Sequence, residues 1–568
     1  MVTPFDQFAA DFHAFRTNDP NARLNLGLLD GLGALPDPRL ETFAQDVQTA
    51  RMLLRQLAEI SSADLSFDQK LDLDLARMSL EREVFDLTLS IGGRLVAELM
   101  PRAGDDIGDG IFMLFINDPR LPEARLDDIL GRLEGVPRHL DAMLNRLDTP
   151  VARWIDIELQ KVAGLPELIG NILGWAEGEK YSKFMRLCAA AEVAEGALDD
   201  YAARLKQLPT STAFAVGDAS ARQIVRLRGI ERSLEELHAY ARRFLSETGG
   251  QIEQLRQKLV VKYDLPTDTP TEKLHSFLNE RFAVKPPDGR LEGILDVYEA
   301  ERSRVRAFIA ERDLFPIFEE QDMKILRTPA FMAPSIPAGA MMSPPPFRPG
   351  VKTSLIYLTL SAELMDEHTQ LGIPGMMIHE GIPGHHLQLA TAATHASVIR
   401  RHTDAMEQAE GWTTMLEDYM LDLGYMGELT DEARFINKRD LSRIGARVAI
   451  DLFFMTGDKS YLDVGIDLDL ETDDPFVAAG RLLKAVTGFT DGRVEAELNW
   501  YSQERGYPLC YLTGNTLVWE LKRDLAATNA GKLDGLALDR EFHRVFLQAG
   551  NMPVSFIRRV FAHAGLLD

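Results

Sequence analysis

The chain has 568 residues, with 62 basic and 87 acidic side chains, a net charge of −25, and 45% hydrophobic and 26% charged content. That composition excludes large-scale disorder, and the acidic excess excludes nucleic acid and anionic membrane surfaces as general partners. Two cysteines, Cys188 and Cys510, exclude a disulfide scaffold and a thiolate zinc site.

The length exceeds the roughly 250–300 residues that one core usually serves, so two or more lobes, or one large helical body with a cleft between halves, are expected. The opening stretch MVTPFDQFAADFHAF carries Asp6 and Asp11 and lacks the basic start and apolar core of a secretory leader. No run of about 18 apolar residues follows. The expected address is cytoplasmic.

Helical periodicity dominates the first half. Leu126, Ile129, Leu133, Leu140, Met143 and Leu147 recur at helical spacing, with Gly135 and Pro137 expected to kink or split the element. Leu227, Ile230, Leu234, Leu237, Ala241 and Phe244 form a second stripe, and Gly249-Gly250 read as its stop. Both stripes read as core-facing. Between Thr328 and Gly350 the stretch TPAFMAPSIPAGAMMSPPPFRPG is too rich in proline and glycine for a regular helix and reads as a lobe connection or a loop lining an active-site mouth. The expected division is a helical N-terminal lobe over 1–327 and a metal-binding lobe over 328–568, with one continuous domain as the alternative. Val351–Leu360 (VKTSLIYLTL) is β-branched and aromatic and predicts a strand, with an edge that could pair an extended peptide.

The strongest chemical signal comes next. Three of the twelve histidines lie within eight residues, in His379-Glu380-Gly381-Ile382-Pro383-Gly384-His385-His386. In the common zinc-hydrolase pattern, two histidines four residues apart share a helix face and the glutamate after the first acts as base. Six residues separate His379 from His385 here, which on an ideal helix turns the second side chain about 120° away. Seven residues bring His386 back to the same face, but roughly 10.5 Å along the axis. Pro383 removes a helical hydrogen bond and Gly384 admits unusual backbone angles, so the two can loop out the excess and return His385 to the ion. His385 is then the second ligand, with His386 as the alternative or as a second-shell or substrate-facing group. Glu410, in Ala-Glu-Gly-Trp, lies 25 residues beyond His385 and can complete the set after a turn and a returning helix, with Glu407 as competitor. Glu417, seven residues further on the same helix face, is placed to hydrogen-bond a ligand histidine. Two histidines and a carboxylate leave an open position for water, as a catalytic zinc requires.

The segment HEGIPGHHLQ followed by EGW resembles the signature of the bacterial domain-of-unknown-function 885 family, placed with the gluzincin metallopeptidases. The resemblance implies a largely α-helical, metallopeptidase-like fold with a buried, channel-like cleft and peptidase-type chemistry; with the lobes expected from length and the strand at Val351–Leu360, the expected architecture is a mostly α, two-lobed body with a central cleft and a small β element near the metal helix. By that analogy His379, His385 and Glu410 are ligands and Glu380 is the general base. Two positions depart from the family's pattern. Tyr507 stands where the family carries glutamine in Pro-Gly-Gln-Ala-x-x-Tyr, while Tyr511 and Gly514 are kept. Asp451-Leu452-Phe453-Phe454-Met455 lacks the histidine of Asp-Thr-Gly-x-His.

The expected reaction is zinc-assisted hydrolysis of short peptides. Glu380 relays the proton, Tyr511 stabilises the oxyanion, and Arg443 or Arg447 clamps a substrate carboxylate. Hydrolysis of a specialised small amide or ester, and a metal-binding scaffold without activity, are the alternatives.

Overall fold

In the computed structural model the chain is mostly helical. Residues 2–286, 290–328, 339–360 and 368–568 are described. They form two compact units, one of Met1–Val216 with Pro345–Arg348, the other of Gly217–Pro344 with Pro349–Asp568. The division falls near residue 216 and not at the expected 327/328. The reason is packing: the segment from Gly217 onward supplies helices and a strand to the core beneath the histidine motif.

The first unit contains helices Pro4–Arg16, Leu40–Glu59, Phe67–Thr88, Ala103–Ile116, Pro122–Arg146, Ala152–Gly178 and Phe184–Leu205. Thr3 and Ser66 open two of them with reciprocal capping boxes, satisfying backbone N–H groups that the first turn leaves unpaired. Pro122–Arg146 runs through Gly135 and Pro137 without the expected split. An interior proline costs about 3 kcal/mol, but Leu133, Val136 and Leu140 are buried on either side of it, and each such side chain returns roughly 1.5–3 kcal/mol. The burial wins. Deep in this unit Glu158 is 1% exposed. Its Oε1 accepts the Gly104 N–H at 3.0 Å and the Tyr201 hydroxyl at 2.9 Å. Burial nonetheless pushes its carboxyl up to about 7.

The second unit holds α1 (Leu234–Lys262), α2 (Gly293–Arg312), β1 (Gln321–Arg327), β2 (Gly339–Met342), β3 (Lys352–Leu358), α3 (Gly372–Glu380), α4 (His385–Ala393), α5 (Met406–Asp422), α6 (Thr430–Thr456), α7 (Asp491–Gln503) and α8 (Cys510–Thr528). α1 passes straight through Gly249-Gly250, the stop expected from the sequence. A capping box at Ser233 starts it, and Leu234, Leu237, Ala241, Leu259 and Val260 bury its inner face on both sides of the glycines. Two glycines at about 1 kcal/mol each do not outweigh that. Leu227 instead closes a separate helix, Asp218–Leu227.

The proline-rich stretch is described only in part, since 329–338 lie outside the described residues; 339–342 form β2. The strand predicted over Val351–Leu360 is β3, and it lies at the centre of a three-stranded sheet ordered β1-β3-β2. β1 pairs with it in parallel from Gln321↔Lys352 to Arg327↔Leu358, and β2 pairs antiparallel from Gly339↔Leu358. Both sides of β3 are therefore taken over Leu355–Leu358, while among the described residues Lys352–Ser354 are paired on the β1 side alone. Ile294 and Tyr298 of α2, Met323 and Ile325 of β1, Ile356 and Leu358 of β3, and Ile373 and Met377 of α3 make one apolar cluster. This cluster fixes α3 against the sheet. Among the described residues no helix is long and apolar enough to cross a membrane.

Candidate metal centre

The histidine motif is two helices, not one kinked helix. α3 ends at Glu380, a turn spans 381–384, and α4 begins at His385. Gly384 sits directly on the end of α3, where a Cβ would fall 2.0 Å from the His379 carbonyl oxygen. Only glycine fits there. Pro383 presents its carbonyl to the indole N–H of Trp412 at 3.0 Å, tying the turn to α5. The proline and glycine thus break the helix cleanly, so His385 restarts it with its ring 4.9 Å from that of His379 and nearly perpendicular to it.

Glu410 arrives from α5. His379 Nε2 and His385 Nε2 lie 3.6 and 3.4 Å from Glu410 Oε2, and one ligand atom from each of the three residues lies within 4.8 Å of the others. Ligands bound tetrahedrally at about 2.1 Å stand about 3.4 Å apart, whereas N–H···O hydrogen bonds cluster near 2.9–3.0 Å. The spacing suits a shared ion better than a hydrogen-bonded triad. Glu410 Oε2 is buried with no hydrogen-bond partner, a costly state for a carboxylate unless something positive sits before it. These residues therefore fit a zinc ion by spacing and by donor type.

Glu417 and Glu410 are seven residues apart on one face of α5. Glu417 Oε1 accepts from the His379 Nδ1–H at 2.6 Å, and its other oxygen accepts from the Asn437 amide. That bond turns His379 Nε2 toward Glu410, the orientation a ligand imidazole requires. Burial alone would lower the His379 pKa, but Glu410 and Glu417 outweigh it and raise it to about 10. Burial likewise opposes ionisation of Glu410, yet the two imidazoles hold its carboxyl well below the usual range. The cluster stores opposite charges that an ion can replace. Glu380, half-buried at the end of α3, adds its negative charge beside His379.

The structure separates the two adjacent histidines. His386 is 1% exposed and its Nδ1 meets the Ser354 hydroxyl of β3 at 2.7 Å. Burial pushes its pKa down to about 4. It belongs to the helix–sheet contact and not to the cluster. Glu407, the competitor of Glu410, is likewise outside the converging set.

Small residues decide what else reaches Glu410. A Cβ on Gly411 would sit 2.3 Å from the Gly514 backbone, and one on Gly514 would sit 1.8 Å from the Glu407 carbonyl oxygen. α5 and α8 therefore touch backbone to backbone, which brings the first turn of α8, with Tyr511, beside Glu410. Burial, with Glu410 adding to it, raises the Tyr511 phenol far above its ordinary pKa, so it stays a proton donor. Arg447 of α6 lies 4.5 Å from the Tyr511 ring centroid and binds Glu497 at 2.9 Å and the Tyr501 hydroxyl at 2.8 Å. Its charge is already met by Glu497, so it props Tyr511 and does not stand as the open carboxylate clamp expected from sequence. Arg443, one turn earlier, donates to the Asp440 carbonyl at 3.0 Å on its own helix.

Sequence reading missed one contact altogether. The Tyr507 hydroxyl lies 3.4 Å from Glu410 Oε1, and its ring packs against Trp500 and Tyr511 at centroid distances of 5.0 and 5.9 Å. The only signal was the exchange of the family's glutamine for tyrosine.

The fold and site together define a mostly helical protein with a buried His–His–Glu cluster at a helix–turn–helix break. Residues 20–560 match the family described as "Bacterial protein of unknown function (DUF885)", and the chain belongs to that family. Two solved structures share its fold. One, a protein from Shewanella oneidensis described as a lipoprotein of unknown function, has a TM-score of 0.77 at 16% identity, covering 98% of this chain and 99% of that one. The other, from Colwellia psychrerythraea and also described as a lipoprotein, has a TM-score of 0.78 at 17% identity and 99% coverage of both chains. No curated protein is significantly similar to the chain.

Proposed function

We propose that this protein is a zinc-dependent hydrolase acting on short peptides, with His379, His385 and Glu410 holding the metal. The supporting observation is the approach of two imidazole Nε2 atoms to one buried carboxylate oxygen at 3.6 and 3.4 Å, an oxygen with no hydrogen-bond partner. The HEGIPGHH and EGW segments, with their resemblance to the gluzincin metallopeptidases, support the same class. When bound, zinc supplies Lewis acidity toward a carbonyl oxygen and lowers the pKa of water.

The chain's own residues do the rest. Glu380, next to His379, takes the proton of the attacking water and delivers it to the leaving amine. Tyr511, held protonated and backed by Arg447, donates to the oxyanion of the tetrahedral species. Glu417 orients His379. The exchanges at Tyr507 and Met455 favour a second reading, in which the substrate is a specialised small amide or ester.

Elemental analysis of wild type beside His379→Ala and Glu410→Ala tests the metal assignment, with about one zinc expected in wild type and little in either variant. Equal zinc in all three sinks it. Glu380→Gln is expected to keep its zinc and lose hydrolysis. A peptide library left intact while small amides are cut selects the second reading.

A further inference from the structure

We propose that Tyr507 is a positioning residue that holds Glu410 to the metal through one oxygen only. The inference rests on the zinc reading above and adds to it a device belonging to this chain. The two oxygens of Glu410 face different partners: Oε2 meets the two imidazoles, and Oε1 meets the Tyr507 hydroxyl. A carboxylate with one oxygen engaged by a phenol offers a metal the other, whereas a bare carboxylate is free to swing and chelate with both. At 3.4 Å the contact is longer than the usual 2.7–2.8 Å of an O–H···O bond.

The backbone around Tyr507 is built to hold it still. Asp451 of α6 is fully buried, and its carboxylate accepts the Gly506 N–H and the Leu509 N–H, each at 3.0 Å. Those two amides bracket Tyr507. Arg228 donates to the Arg505 carbonyl at 2.9 Å from the other side. Gly506 adopts φ +74, and a Cβ there would fall 2.6 Å from Ile224, so the turn closes against Asp218–Leu227 with no room for a side chain. Burying an acid costs several kcal/mol unless its hydrogen bonds are supplied. Here that cost is met to fix the turn that carries Tyr507.

The test uses full-length protein stripped with chelator and reloaded with zinc or cobalt(II). Tyr507→Phe keeps the ring against Trp500 and removes only the hydroxyl. Zinc affinity, measured by competition with a chromophoric chelator, is expected to fall about 10- to 100-fold, the range seen when a group behind a metal ligand is lost. The cobalt form is expected to lose visible absorption, because binding through both carboxylate oxygens raises the coordination number above four. A merely structural tyrosine would leave that spectrum unmoved. Zinc affinity and cobalt spectrum both equal to wild type would overturn the role of Tyr507 while leaving the zinc reading intact. Failure of wild type itself to bind zinc overturns both together.

Discussion

Gly514→Ala is the smallest change that should disturb the whole site. Its Cβ would lie 1.8 Å from the Glu407 carbonyl oxygen, 2.7 Å from that carbonyl carbon and 3.0 Å from the Gly411 Cα. An ordinary van der Waals contact is 3.4–4 Å, so α5 and α8 must part by more than an ångström. No flexible side chain can give way, because all three of these neighbours are backbone atoms. Overpacking of this kind costs typically 1–3 kcal/mol and occasionally more. The separation also draws Tyr511 away from Glu410, and a misplacement of about 1 Å near a reacting centre can cost about 10²-fold in rate. Gly249→Ala serves as the counter-experiment. That glycine lies inside α1 with nothing within 4 Å of the added methyl, so alanine should stabilise by up to about 1 kcal/mol. Urea unfolding of both variants, with zinc titration of each, reads the result. Gly514→Ala as stable as wild type and with unchanged zinc affinity would refute the backbone-contact argument.

Three further outcomes follow from the same geometry. Glu417→Ala removes the acceptor that orients His379 and should weaken zinc about 10- to 100-fold in chelator competition; unchanged affinity would mean the 2.6 Å bond has no bearing on the metal. His386→Gln should keep full zinc stoichiometry, since His386 faces Ser354, and loss of zinc in a folded variant would reverse the choice between the two histidines. In the first unit, Glu158 has its folded pKa raised by burial to about 7, above its ordinary value of 4.5. The folded state therefore holds the proton more tightly. Its contribution is fully present below about pH 4.5 and is lost as pH rises through about 7, up to about 3 kcal/mol in all. Glu158→Gln should flatten that slope in urea unfolding across the window, and an identical slope would show that Glu158 is not its source.

The parts of the site legible in sequence were those with local causes. Pro383 and Gly384 must break a helix, so the return of His385 toward His379 followed from backbone chemistry alone. Glu410 and Glu417 share a helix face by their spacing, which placed both on the same side of α5. The strand over Val351–Leu360 was legible from its β-branched residues. Its central place in the sheet was not, because pairing partners at 321–327 and 339–342 leave no local trace in it. Gly249-Gly250 misled for a related reason: a helix end is set by the sum of buried contacts on both sides, which no pair of residues reports. Tyr507 lies 97 positions from Glu410. Only the docking of Gly411 on Gly514 and the Asp451 clamp bring them together, and neither signal can be read from a window of sequence.

The bond from Trp412 to the Pro383 carbonyl makes the motif dependent on a distant segment for its shape. A synthetic peptide copying residues 372–393 would keep both histidines and the intervening turn, yet lack the indole and the acid that organise them. Such a fragment should be a poor chelator. Any attempt to graft the eight-residue motif onto another scaffold therefore has to transplant the Glu-Gly-Trp helix with it.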